Sequence, residues 1–287
     1  MKIRIIPVLS ICIVILVWCN AGMGLFYSNG GKPEFVENIY GETVQLFGNG
    51  VYANNSMLKA TTAKGSDLVM LLVSLGLLIA TLKRDSGPKA KLLHGGLLVS
   101  ILYYSATTAF GITYSRMFLL YLIAFSVAFF TFVLSMIDMN ITIEPVNKDK
   151  KYVGTAIFTI IAGCTALVWL MSILPTLFTD TPLDIIDIST TEPTFVIDIG
   201  LIFPTCLIGG IMLLKKKQAG YILSPVMLTF LAVIAVTVIG QSAIQLYYGV
   251  IISIQQLIGY VVTFVAFGFI AAVINTRFML KCWPKGK

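Results

Sequence analysis

Residues 117–137 read MFLLYLIAFSVAFFTFVLSMI, an unbroken run without a charged or amide side chain. A bilayer core of roughly 30 Å calls for about 20 apolar residues per helix, and this stretch supplies them. Seven further stretches of the same kind flank it, near residues 4–24, 66–82, 92–113, 152–175, 196–214, 221–246 and 250–276. Together they predict an all-α fold, a polytopic transmembrane helical bundle of about eight spans. Composition agrees: 57% of residues are hydrophobic and only 11% are charged, where a soluble domain carries about a quarter charged. Mean hydropathy is +0.92.

The net charge of +7 is explained by where the basic residues stand. With the N-terminus placed in the cytoplasm, the inner segments carry Lys2 and Arg4, then Lys83, Arg84, Lys89 and Lys91. Lys148, Lys150, Lys151, Lys215, Lys216, Lys217, Arg277, Lys281, Lys285 and Lys287 follow on the same side. The outer segments hold only Lys32, Lys59, Lys64 and Arg116. Loop Lys and Arg set orientation in this way, so a cell-membrane protein with both termini cytoplasmic is expected. The bilayer is then the expected partner, with no call for nucleic acid. Met1-Lys2-Ile3-Arg4 and the apolar run behind it resemble the start of a signal peptide. The run continues past Trp18 toward Leu25, which favours a retained first span.

The chain divides into a first four-helix half (1–137, with an outer loop at 25–65), a cytoplasmic linker (138–151) and a second four-helix half (152–287, with an outer loop at 176–195). Each half has a helix that opens on an aspartate and closes on lysine or arginine, Asp67 to Arg84 and Asp198 to Lys215. Four spans per half is an even number, so a 4+4 repeat would be parallel, an architecture known among transporters. Any chain of helices with basic inner loops also looks periodic. In the first outer loop, Gly48-Asn49-Gly50 separates short β-prone runs within Gln45–Tyr52, the pattern of a small hairpin. The second outer loop is acidic, with Asp180, Asp184, Asp187 and Glu192.

Candidate polar residues sit near the outer ends of the spans. Asp67 and Asp198 are each expected about one turn inside their helices, where a charge is costly and usually faces the bundle interior or a polar cavity. Lys64, three residues before Asp67, is a helical partner for it, and Arg116 opens the fourth span on the same side. These four, with Gln245, form a candidate binding cluster. The plainer alternative is that each carboxylate answers the dipole of its own helix. Gln241 and Gln245, spaced i, i+4, suit hydrogen bonds between helices, as do Gln255 and Gln256. His94, the lone histidine, is followed by Gly95 and Gly96 and is expected at the cytoplasmic interface. Pro204 and Pro225 would kink their spans, and Ala124/Ala128 and Gly268/Ala272 suit close helix packing. Cys12, Cys19, Cys164, Cys206 and Cys282 are scattered without a Cys-x-x-Cys pair, so neither a zinc site nor a redox motif is indicated. No catalytic, cofactor or metal motif is present, and enzymatic chemistry is not the first expectation.

Lys64-Gly65-Ser66-Asp67-Leu68, Lys91-Leu92-Leu93-His94-Gly95, Tyr103-Tyr104, Phe110-Gly111, Tyr114 and Phe118-Leu119 resemble the motifs of an uncharacterised family of prokaryotic multi-pass membrane proteins. The likeness extends to Asp198-Ile199-Gly200-Leu201, Pro204 and Gly220-Tyr221. It implies eight helices and gives weight to Lys64, Asp67, Arg116 and Asp198, but implies no activity. Three function classes remain. A transporter-like or channel-like protein would bind a small molecule or lipid at an outward-facing charged site and would show a cavity crossing the midplane. An enzyme acting on a lipid-linked substrate would open toward lipid beside an aspartate. A sensor or assembly subunit would have a solid core.

Overall fold

The computed structural model describes residues 5–145, 152–179, 181–183, 185–251, 253–254 and 257–284. Lys2, Arg4, Lys148, Lys150, Lys151, Asp180, Asp184, Gln255, Gln256, Lys285, Lys287 and the end of the 138–151 linker lie outside the described residues. Among the described residues, eight helices are long and apolar enough to cross a membrane: α1 (Ile5–Phe26), α2 (Met57–Leu82), α3 (Pro88–Gly111), α4 (Phe118–Thr142), α5 (Val153–Thr179), α6 (Pro193–Leu214), α7 (Gln218–Tyr247) and α8 (Leu257–Cys282). The chain is a multi-pass helical membrane bundle. Large apolar side chains stay exposed along the spans, among them Leu72, Leu119, Phe130, Ile161, Ile239 and Phe269, as a surface solvated by lipid requires.

A two-stranded antiparallel sheet, β1 (Glu34–Glu37) and β2 (Thr43–Leu46), stands between α1 and α2. The expected hairpin exists, but its turn is Asn38–Glu42 rather than Gly48-Asn49-Gly50. The Asn38 side chain closes that turn by accepting from the Tyr40 and Glu42 amides, both at 2.9 Å. Asn49 acts over a longer range, with its Oδ1 accepting from Ser28 Oγ at 3.0 Å and from the Asn29 amide at 3.1 Å. Gly48 takes a left-handed φ of +74°, and a Cβ there would lie 1.9 Å from the Lys32 carbonyl oxygen. The Gly-Asn-Gly segment therefore presses against the chain leaving α1. We refer to this end of the bundle as the hairpin face and to the end bearing Lys83, Arg84 and Lys215–Lys217 as the basic face.

Helix α2 starts at Met57, nine residues ahead of the apolar run, because Ser56 caps it by accepting from the Lys59 amide at 3.2 Å. A hydropathy window registers apolar content and not helix, so the capped, mixed-polarity start was invisible to it. Asp67 consequently lies about 15 Å along α2, far deeper than one turn.

Helices α3 and α7 are the most buried spans. α7 packs on α2, α3, α6 and α8 and is the hub of the fold. Adjacencies α1–α2, α2–α3, α3–α4 and α1–α4 recur as α5–α6, α6–α7, α7–α8 and α5–α8. One apolar core joins α1, α2 and α3 through Ile13, Val17, Met70, Leu77, Leu98 and Ile101. A larger one surrounds α7 with Leu92, Cys206, Val226, Phe230 and Phe278. Helices α2 and α7 cross at Gly65 and Gly240, where a Cβ on Gly65 would meet Gln241 Cα at 2.3 Å. At the α7–α8 contact Gly268 lies against Ala235 and Ala271 is fully buried. Ala124 and Ala128 are buried as expected.

Candidate functional site

The five candidates Lys64, Asp67, Arg116, Asp198 and Gln245 do not form one site. Asp67 is fully buried, with Oδ1 accepting from Tyr104 at 2.6 Å and Oδ2 from Tyr52 at 2.7 Å. It also rests on α1 at Gly24, where a Cβ would lie 1.9 Å from Oδ2. Lys64 does not hydrogen-bond to Asp67: its Nζ donates to the carbonyls of Gly24 at 2.6 Å and Leu25 at 3.3 Å. Those are end carbonyls of α1, which lack helical partners and attract a cation. Lys64 and Asp67 thus fix the end of α1 against α2. Arg116 is exposed on the turn before α4.

Asp198 and Gln245 belong to a different place. A cavity of about 450 Å³ occupies the hairpin-side half of the bundle, between α2, α3, α5, α6, α7 and α8. Ligand pockets typically span about 300–1,000 Å³. Its floor is set by Met70, Ala162, Ile202 and Phe230, and beneath it Val99, Val226 and Cys206 pack solidly. It is therefore a blind cavity and not a pore crossing the midplane. Gln241 donates to Ser66 at 2.8 Å and Gln245 to Thr62 Oγ1 at 2.8 Å; all four residues line the cavity. The glutamines are at once ties between α2 and α7 and part of the polar wall.

Asp198 is 8% exposed and accepts from Trp169 Nε1 at 2.7 Å, with the Tyr103 hydroxyl also directed toward it. The neighbours Tyr103 and Tyr104 thus serve different aspartates. The Trp169 ring packs against Phe195 at 4.7 Å, Tyr260 at 5.0 Å and Phe264 at 5.9 Å, making one side of the cavity aromatic. The backbone departs from α-geometry at this level. Cys164–Trp169 of α5 is a 3₁₀ stretch, and Asp198–Ile202 of α6 and Leu257–Val262 of α8 are π-helical. A tight 3₁₀ stretch within a helix often marks a hinge, and the wider π turns are frequent at functional sites. Each carries one of the wall residues Trp169, Asp198 and Tyr260.

The mouth is roofed by the loop of residues 185–192. Asp187, at a left-handed φ of +49°, accepts a hydrogen bond from Ser56 Oγ, and its carbonyl accepts from Asn38 Nδ2 at 2.7 Å. Lys59 pairs with Glu192 at 3.3 Å and donates to Ser189 at 2.9 Å. Burial raises the Asp187 carboxyl above its ordinary value; Ser56 and then Lys59 oppose this, while Glu42 and Glu192 add to it. For an acid raised in the folded state, the stabilisation is complete below its unfolded value of about 4. It is lost as pH rises through the raised value. The loop is therefore expected to dock more firmly as pH falls toward the unfolded carboxylate value of about 4. Hydrogen exchange over 185–192, corrected for intrinsic rate, should slow accordingly, and Asp187→Asn should abolish the trend; an unchanged trend in that variant would exclude Asp187 as its source.

Other singled-out residues have structural surroundings. His94 is fully buried rather than interfacial, and its Nε2 meets Ser10 Oγ at 3.0 Å. Because that hydroxyl donates to the Ile6 carbonyl at 2.8 Å, Nε2 is the donor. Pro225 lies within α7, and Asn275 of α8 donates to its carbonyl at 3.1 Å. Asp138, assigned by sequence to the linker, is fully buried on α4 and pairs with Arg84 at 2.7 Å and Lys91 at 2.8 Å. Among the described residues no group of three or more His, Cys, Asp or Glu could hold a metal ion. Trp169, Phe195, Tyr260 and Phe264 escaped the sequence reading, although a tryptophan well inside a span, away from the interfacial belts, was a usable signal.

Comparison of the chain with protein-family models, curated proteins and solved structures finds no match.

Proposed function

We propose that the chain is a transporter-like protein of the cell membrane, closed toward the basic face in this state, whose cavity binds a small ligand from the extracytoplasmic side. Among the described residues, the midplane crossing expected of an open transport path is absent from this state. The observation that carries this reading is the convergence of three irregular helix stretches on one blind cavity with Asp198 in its wall. Transporter sites are characteristically built from discontinuous helices near the bilayer midplane, between structural repeats. Here the floor lies near mid-helix and the walls come from both sets of four spans. The carboxylate receives hydrogen bonds from fixed donors, an arrangement that suits anchoring a ligand better than proton abstraction. Lys83, Arg84, Lys89, Lys91 and Lys215–Lys217 gather at the basic face, which supports a cytoplasmic placement for it and an extracytoplasmic hairpin face.

The test uses the full chain in vesicles with its five cysteines replaced. Thr237→Cys, on the cavity wall, should react with a membrane-impermeant thiol reagent from the hairpin face. Ile202→Cys, at the floor, should in addition react from the basic face as the opposite state is populated. Reaction confined to the hairpin face at both positions would leave a binding protein and remove transport; no reaction from either face would remove the open cavity.

A further inference from the structure

The cavity's charge and surface chemistry select among ligands, given the reading above that it is a ligand site. Among the described residues its lining holds three carboxylates, Asp187, Glu192 and Asp198, against one ammonium, Lys59. Lys59 is already engaged by Glu192 and Ser189. Asp198 has no cation within 4 Å among the described residues: it faces the neutral indole N–H of Trp169 and the Tyr103 hydroxyl. A buried carboxylate held only by neutral groups is incompletely compensated. An anionic head group would meet repulsion at both Asp198 and the rim, and a wholly apolar molecule would leave Asp198 as it is. A cation answers it.

The rest of the wall points the same way. Trp169, Phe195, Tyr260 and Phe264 stand beside Asp198, and Tyr103, whose hydroxyl is also directed to Asp198, packs edge-on to Phe230 at 5.3 Å. Aromatic faces attract organic cations, most strongly where water is excluded. Leu231, Ile234 and Val261 supply apolar lining for a hydrocarbon body. We propose that the cavity binds an amphiphilic organic cation, an alkyl- or aryl-ammonium whose charged end lies between Asp198 and the Trp169 cluster.

The experiment is calorimetric titration of the full chain in nanodiscs, with empty nanodiscs as the blank. The probes are benzyltrimethylammonium, its neutral isostere neopentylbenzene and the anion benzylsulfonate. The cation should bind at least tenfold more tightly than the isostere, and the sulfonate should not bind. Asp198→Asn should remove the preference, bringing the cation's affinity down to that of the isostere. Equal affinity for cation and isostere overturns the cation selectivity but leaves the cavity a ligand site. Absence of binding by all three overturns both readings. Should Asp198→Asn fail to fold, the wild-type comparison of cation and isostere decides by itself. A preference abolished by Glu192→Gln and untouched by Asp198→Asn overturns the placement of the charge.

Discussion

Asp138→Ala is expected to lower stability by about 3–5 kcal/mol, the usual cost of removing one partner from a buried ion pair. Arg84 and Lys91 both place a nitrogen on the same oxygen, Oδ2 of Asp138, at 2.7 and 2.8 Å. Arg84 is 3% exposed, Lys91 6% and Asp138 0%, so truncation leaves two cations with little access to water. Lys91 also donates to Thr142 at 2.7 Å, but that neutral hydroxyl does not replace the lost carboxylate. The cost comes from uncompensated charge rather than from a missing contact. Replacing the whole triad, Arg84→Met, Lys91→Met and Asp138→Ala, should therefore recover most of the loss. Thermal unfolding in detergent micelles measures both variants. A triple variant as unstable as the single one would show that packing, and not charge, governs this end of the bundle.

The second large effect is expected at the α2–α7 crossing. Gly65→Val places a side chain where a Cβ already lies 2.3 Å from Gln241 Cα, 2.6 Å from its nitrogen and 2.8 Å from the Gly240 oxygen. These are backbone atoms of the central helix and cannot swing aside. The two helices must separate, at a cost of about 1–3 kcal/mol or more for overpacking. Separation also breaks the Gln241–Ser66 and Gln245–Thr62 hydrogen bonds, so the cavity wall is distorted along with the fold. Gly22→Ala is the control, since a Cβ there meets nothing within 4 Å and alanine is the better helix former by about 0.8–1 kcal/mol. Comparable melting temperatures for Gly65→Val and Gly22→Ala would show that the crossing yields easily.

The eight spans were legible because lipid imposes a requirement that hydropathy measures directly. The length of α2 was not, since Ser56 and the mixed residues behind it form a helix without being apolar. That error displaced Asp67 toward the surface and made Lys64 look like its partner, when the end of α1 had the stronger claim on the ammonium. Asp198 and Gln245 were legible as polar residues in apolar surroundings. Their setting was not, because Trp169, Phe195, Tyr260 and Phe264 come from three spans, and nothing local to any of them names the others. Asp138 was read as a linker charge for a related reason: Lys91, one of the two residues that neutralise it, lies 47 positions earlier in the chain.

The irregular turns of α5, α6 and α8 have a mechanical meaning as well. An α-helix is stiff along its length because every turn is tied to the next by the same hydrogen-bond ladder. Where that ladder changes step, the rod acquires a joint. Two neighbouring rods, α5 and α6, are jointed within their length beside the cavity, and α8 opens on its π turn at the same level, which divides the second half of the molecule into an upper and a lower storey. Bending is then concentrated at the storey line, so the hairpin-side segments can tilt over an occupant while the packed lower ends keep their places.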